Sequence, residues 1–404
     1  MMHTLADTKQ NAMGNTPLEK AGIEIKVGKV VSLNAKAHTV TLEPGEVLSY
    51  EKLVLATGTE ACMPPIPGVD KQGVFTIKKS MSAMNALREK VHQAKKMVII
   101  GGGFIGAEFA DELSKDPDAE IYLIEIMPKL LLTVFDDEFC DEITLLLEKQ
   151  RINIRTAVRV VSIDGKEGVE SVSLESGEKI PADLVLLSIG AKPSSKLAEK
   201  AGLRIIDNGS IWVDDYMRTD AEDVFAVGDC ALKRDFFTRK AAPIWLASTA
   251  TAEARNAGTN IYGIRVLHQI QGMIAAFSTQ IGGKSFASAG MTCRTCEREG
   301  FRYVTTTAVA PDRHPGMLPG ASELKVKLVF ADRAGIILGR QVSGGPSVGE
   351  LINVIALAIQ KKVTVRELDM MQIATHPLLT SAPTVHPLIN AAHQALAKLR
   401  SKIK

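Results

Sequence analysis

Gly101-Gly102-Gly103-Phe104-Ile105-Gly106-Ala107-Glu108-Phe109-Ala110 is the stretch on which the fold turns. It follows Met97-Val98-Ile99-Ile100, a fully apolar run of strand length, and opens a segment that reads as helix over 104–115. Gly101, Gly103 and Gly106 stand at the Gly-x-Gly-x-x-Gly spacing, and each has a mechanical task in a dinucleotide-binding turn. Gly101 permits the tight turn, Gly103 lets the backbone approach a pyrophosphate, and Gly106 lets the helix pack close to the strand. The helix N-terminus offers the phosphates free N–H groups and the positive end of its dipole. The spacing alone is a weak signal. It gains weight from Glu125, 19 residues beyond Gly106 at the end of the next strand, where a carboxylate can accept hydrogen bonds from ribose hydroxyls. The same carboxylate repels the 2′-phosphate of NADP, and the nearest following cation is Lys129, so the turn is expected to bind NAD(H), with NADH preferred over NADPH.

Working outward, the chain from Met97 to Gly190 alternates: strand 97–100, helix 104–115, strand 120–125, helix 136–150, strands near 152–163 and 169–174, strand 183–189. That order predicts parallel strands with helical crossovers. Upstream, residues 23–27 and 38–42 read as a hairpin around a polar turn at 34–36. Leu53-Val54-Leu55-Ala56-Thr57-Gly58 is a buried-type strand entering a small-residue turn, Pro64, Pro65 and Pro67 mark a rigid connection, and 80–94 reads as a helix. Downstream come Ile211-Trp212-Val213, a second strand-to-turn at Val224-Phe225-Ala226-Val227-Gly228-Asp229, and a helix-like stretch over 243–260. Beyond Ser285, strands at 301–309, 324–330 and 335–342 and a helix at 347–362 describe a separate α+β unit.

The 404 residues exceed one ordinary core. A net charge of +2, from 48 basic and 46 acidic residues, gives no electrostatic footprint for nucleic acid or an anionic membrane, so a small-molecule partner is expected. No apolar run of membrane-spanning length occurs, and Met1 to Lys20 lacks the features of a signal peptide, which predicts a cytoplasmic protein. Five dispersed cysteines fit a reducing compartment.

On Tyr50 to Gly58, Pro64-Pro65-Ile66-Pro67-Gly68, the glycine turn, Ser188-Ile189-Gly190-Ala191-Lys192-Pro193 and Val224 to Asp229, taken in order and spacing, the chain resembles the flavin-dependent pyridine nucleotide-disulfide oxidoreductases, most closely their NADH oxidase and coenzyme A-disulfide reductase branch. The resemblance covers nearly the whole length. It implies an α/β fold in which a Rossmann-like NAD domain (96–215) is inserted in a partial FAD-binding domain (1–95 and 216–284), followed by a C-terminal α+β dimerisation domain (285–404). It also implies FAD and NAD(H) as cofactors, a homodimer, and hydride transfer from NADH to FAD and on to oxygen, a disulfide or a sulfur compound as small-molecule acceptor. Thr57, Gly58, Gly228 and Asp229 would lie against FAD, with Gly190 among the cofactor-binding positions. Phe104 would cover the flavin until nicotinamide arrives, Glu108 would lie near the reacting rings, and simple helix packing is the alternative for Phe104.

The front departs from the family. Only residues 1–22 precede Ile23, where the resemblance implies about 75 to 80 more, bearing a second glycine turn for the FAD pyrophosphate. The expectation is a truncated gene product, or a partner chain that supplies the missing FAD-binding segment. The other reading is a non-catalytic NAD(H)-binding subunit. Cys293-Arg294-Thr295-Cys296 has redox or metal spacing at a helix start, a position that lowers a thiol pKa, but no second pair completes a zinc site and the resemblance puts it on an exposed helix far from flavin; no metal is expected. His376-Pro377 is a candidate general acid reaching a dimer partner's flavin, although the position where the disulfide reductases carry an orienting glutamate holds Ser381. His386 also precedes a proline.

Overall fold

The computed structural model describes residues 14–267 and 270–402; most of the stretch read for a signal peptide lies outside them. Helix α1 (Thr16–Lys20) precedes β1 (Val30–Asn34), β2 (Thr39–Leu42) and β3 (Val47–Ser49), a small antiparallel sheet in that order. The expected hairpin is displaced: residues 30–34, not 23–27, pair with 39–42 across the polar turn. Ile23, Ile25 and Val27 have strand-like alternation but no ladder to join, and Val27 is 95% exposed, so the propensity goes unused.

Strands β4 (Leu53–Leu55) and β5 (Thr59–Ala61) follow, then β6 (Val74–Thr76), α2 (Met81–Gln93), β7 (Lys96–Ile100), α3 (Phe104–Leu113), β8 (Glu120–Ile124), α4 (Asp137–Lys149) and β9 (Asn153–Arg155). Next are β10 (Val160–Asp164), β11 (Ser171–Leu174), β12 (Lys179–Pro181), β13 (Leu184–Leu187), β14 (Ala191–Pro193), α5 (Lys196–Lys200), β15 (Val224–Ala226) and α6 (Ala247–Asn260). A five-stranded parallel sheet has the order β6-β13-β7-β8-β9. Its central strands β13, β7 and β8 are mainly apolar because both faces are covered. Met97, Ile99, Leu123, Leu184 and Leu186 pack with Leu87, Leu113 and Phe139 of the helices, while Val98, Ile100, Ile124, Val185 and Leu187 pack with Val172 and Ile180. Each such side chain contributes about 1.5–3 kcal/mol by leaving water. Strands β10, β11 and β12 are antiparallel and outside this sheet, which corrects the expectation of unbroken parallel alternation: they form the lid over its second face.

Strands β4 and β15 form a separate, two-stranded parallel sheet. Leu55, Val224, Phe225 and Ala226 pack with Ala198, Leu203, Ile211 and Val213. Residues 197–213 thus pack with β4 and β15, whereas β6 and α2 pack with the five-stranded sheet, so packing does not follow the divisions expected at 95/96 and 215/216.

The C-terminal unit comprises β16 (Ala276–Ile281), β17 (Lys284–Gly290), α7 (Cys293–Glu299), β18 (Tyr303–Pro311), β19 (Glu323–Ala331), β20 (Ile337–Gly344), α8 (Val348–Gln360), α9 (Val365–Asp369) and α10 (Pro387–Ser401). Its antiparallel sheet runs β16-β17-β20-β19-β18, with α8 against β17 and β20 and α10 against β18 and β19. The sheet begins before 285 because β16 pairs with β17, and Ile281 and Phe286 enter the core shared with α4.

Candidate functional site

The turn after β7 has the shape its glycines dictate. Gly101 holds φ +110°, and a Cβ there would lie 2.6 Å from the carbonyl oxygen of Ser188; at Gly106 it would lie 1.8 Å from that of Gly101. These two positions are closed by packing. At Gly103 an added Cβ meets nothing within 4 Å, and the residue is exposed at the N-cap of α3 with no side-chain cap, so the free helix N–H groups face an open cradle. The Ser188 hydroxyl donates to the carbonyls of Ile100 and Gly101 and fixes the turn from β13.

Glu125 lies where expected, just after β8, with its carboxylate held by two backbone donors: Gly102 N–H at 2.6 Å and Met127 N–H at 2.7 Å. Lys129 is engaged by Asp141, at 2.6 and 2.7 Å, instead of facing the turn. Phe104 packs on Phe277 (centroids 5.1 Å apart) and edge-on to Phe135 (6.2 Å), so in this conformation the ring belongs to an aromatic cluster. Glu108, on the exposed side of α3, accepts a hydrogen bond from the Thr279 hydroxyl of β16 at 2.6 Å. Partial desolvation raises its pKa, with Asp111 adding and Thr279 opposing.

The second cluster sits at the C-terminal ends of β4 and β15, the end at which parallel sheets bind ligands. The Thr57 hydroxyl donates to the Ser194 carbonyl at 2.6 Å, and the Ser194 N–H donates to Gly58 O at 2.9 Å. Gly190 accepts from Cys62 N–H at 3.0 Å beside the β5–β14 ribbon, which joins this cluster to the five-stranded sheet. Asp229 lies in a single 3-10 turn over Gly228–Cys230; its carboxylate accepts from Lys79 at 3.0 Å and, at 3.4 Å, from Thr59. Behind the turn a fully buried ion pair braces it. Glu253 accepts from Gly228 N–H at 2.7 Å and from Lys233 at 2.9 Å, and Lys233 also donates to the carbonyls of Gly228 and Ala231. Burial raises the Glu253 pKa against the pull of Lys233. Lys79, Lys233 and Glu253 were not singled out from sequence. The one available signal was Glu253, the only acid in 247–260, where Arg255 is the only other charged residue.

These residues fit part of an FAD. Thr57, Gly58, Gly228 and Asp229 make an open polar turn suited to its ribityl and adjoining groups. Among the described residues no second glycine turn with a helix N-terminus lies on the β4/β15 sheet to receive its pyrophosphate, and Val54 in β4 is 40% exposed. A cavity of about 600 Å³ lined by Lys52, Trp212 and Tyr262 opens at the opposite strand ends, and two of its acids are engaged within the chain, Asp214 with Arg218 and Asp223 with Lys52.

The remaining candidates lie in the C-terminal unit. Burial, with nearby Asp136, pushes the Cys293 thiol up to about 11, and burial pushes Cys296 up to about 12. A lowered pKa at this helix start is therefore not what the structure shows. Nor is α7 an exposed outlier: its first N–H, on Cys293, donates to Asp136 at the start of α4, and Cys296 is buried. All five cysteines are unpaired, and no metal-holding cluster occurs among the described residues. His376 is exposed, its Nδ1 accepting from Leu378 N–H at 3.2 Å, in a strip that also exposes Leu378 and Leu379. Ser381 donates to Pro311 O and does not orient it.

Residues 3–257 match the family described as pyridine nucleotide-disulphide oxidoreductase, and residues 257–386 match its dimerisation domain. An NADH oxidase of Methanocaldococcus jannaschii is 31% identical over 407 residues, covering 100% of this chain and 87% of that protein. A CoA-dependent NAD(P)H sulfur oxidoreductase of Pyrococcus furiosus is 31% identical, covering 92% and 83%. The structure of an NAD-dependent persulfide reductase from A. fulgidus superposes with a TM-score of 0.91 at 29% identity, covering 99% of this chain and 75% of that one.

Proposed function

The chain belongs to the pyridine nucleotide-disulphide oxidoreductase family, and from that premise we propose how its residues divide the work. It is an NADH-dependent flavin oxidoreductase that uses FAD and NAD(H), and its dimerisation domain supports a homodimer. No helix among the described residues is long and apolar enough to cross a membrane. The observation that carries the residue assignment is the open cradle at Gly103, with the uncapped α3 N-terminus above it and Glu125 beside it.

In this reading Gly101, Gly103 and Gly106 admit the NADH pyrophosphate and Glu125 takes the adenosine ribose. Glu108 holds its position near the nicotinamide through Thr279, and Phe104 lines that space from the aromatic cluster. Thr57, Gly58, Gly190, Gly228 and Asp229 would hold FAD, which would supply the hydride acceptor and the electron route to oxygen, a disulfide or a sulfur compound. With their raised thiols, Cys293 and Cys296 stand outside that route, and His376 is a dimer-face residue available to the partner's site. The exposed Val54 and the unpaired outer edge of β4, whose other edge pairs with β15, favour cover by a further βαβ segment with its own glycine turn, which a partner chain could supply.

A visible spectrum of the purified chain tests this. The expected outcome is less than one FAD per chain, restored together with NADH oxidation when a polypeptide equivalent to a relative's first βαβ unit is added. One FAD per chain without addition overturns the partner segment; no flavin even with it overturns the flavin-site assignment.

A further inference from the structure

Arg340 in β20 is fully enclosed, at 0% exposure. Its ladder neighbours Ala289 and Leu328 face the apolar core shared with Ile352 of α8 and Leu388 of α10, so the side chain rises from the sheet into the layer between those helices. Its Nη1 donates to the Leu351 carbonyl of α8 at a long 3.4 Å, and its Nε and Nη2 have no partner. Those two nitrogens form one edge of the guanidinium, whose parallel N–H groups grip a carboxylate-shaped group at two points. Beside it, buried His386 is the N-cap residue of the 15-residue α10, and its Nδ1 is also without a partner. Burial first, and then the Arg340 charge, lower the His386 pKa. The first N–H groups of a helix lack intrahelical acceptors, and no acid among the described residues pairs with Arg340. A buried cation with nothing opposite it costs several kcal/mol, and such groups ordinarily have a counterpart.

We propose that Arg340, His386 and the N-terminus of α10 form a closed site for a small planar monovalent oxyanion of the size of formate, bicarbonate or nitrate. The side-on edge of Arg340 takes two oxygens, and the imidazole Nδ1–H and the helix N-terminus supply further positive potential. Because the chain itself encloses the guanidinium, the occupant is a free ion and not a side chain of another subunit. It ties α8 and α10 to the sheet of the dimerisation unit.

After exhaustive dialysis into sodium gluconate, sodium formate is titrated in at constant ionic strength and thermal unfolding followed; gluconate is too large to enter. The midpoint of the native chain is expected to rise by about 3 °C once formate exceeds its Kd tenfold, and Arg340→Met is expected not to respond. Identical melting of the native chain in both salts, or an equal rise in Arg340→Met, overturns the site. So does an Arg340→Met variant that is more stable than the native chain in formate, since the arginine is then simply uncompensated. If the variant fails to fold, broadening of the carbon-13 formate resonance by native chain, reversed by nitrate, decides the question; absence of broadening overturns the site.

Discussion

The turn after β7 and the turn after β15 are two strand-to-turn sites in one chain, and they differ in what surrounds them. The first caps a five-stranded sheet covered on both faces, with helix dipole, glycine cradle and carboxylate assembled. The second caps two strands with an exposed Val54, and its turn is held from behind by the buried Lys233–Glu253 pair. A strand and a turn are thus enough to place polar groups, whereas neutralising a pyrophosphate needs a helix end aimed at it. The comparison predicts nucleotide binding that is complete at one site and dependent on added structure at the other.

The largest expected effect is Gly103→Val. The added side chain has room in the empty turn but occupies the cradle, so binding of NADH and NADPH should be abolished with the unfolding midpoint nearly unchanged, as read by titration calorimetry and calorimetric melting. Retained binding would move the nucleotide site elsewhere.

Breaking the brace comes next. Lys233→Met leaves the Glu253 carboxyl buried without its cation, a loss of about 3–5 kcal/mol in urea unfolding. NADH affinity should stay within about threefold, because sites without shared partners behave additively. A matching fall in NADH affinity would show that the two regions are one cooperative unit and dissolve the contrast.

A smaller effect concerns selectivity at the complete site. NADH should bind at least about tenfold more tightly than NADPH, about 1.4 kcal/mol, because Glu125 is pinned by two N–H donors where a 2′-phosphate would fall and Lys129 is tied to Asp141. Glu125→Gln should narrow the ratio in calorimetric titration. Equal affinities in the native chain would remove Glu125 from the ribose. Smallest of all, Cys293→Ser with Cys296→Ser should leave NADH-dependent activity within about threefold, or roughly 0.7 kcal/mol of barrier, since both thiols are raised and sit at the α4–α7 junction. A hundredfold loss would bring that junction into the electron route.

The sequence by itself determined what depends on near neighbours. The apolar run 97–100, the glycine spacing after it and the acid 19 residues on specify strand, turn, helix and a carboxylate beside the turn, because period, backbone freedom and helix polarity are local properties. Helices at 81–93, 137–149 and 348–360 and strands β18, β19 and β20 of the C-terminal sheet were legible for the same reason, whereas β16 and β17 were not read from the sequence. Only the tertiary structure decided which strands share a sheet. It took β6 and α2 to the β7 sheet, set β10 to β12 across it, and left Ile23 to Val27 without a ladder, since pairing rests on contacts between distant segments that no local pattern encodes. It likewise decided that Glu125 leans on Gly102, that Lys79 reaches Asp229, that Lys233 meets Glu253 and that Arg340 meets no acid. A charge in a sequence carries no mark of its burial or its partner; both are set by the chain folding back on itself.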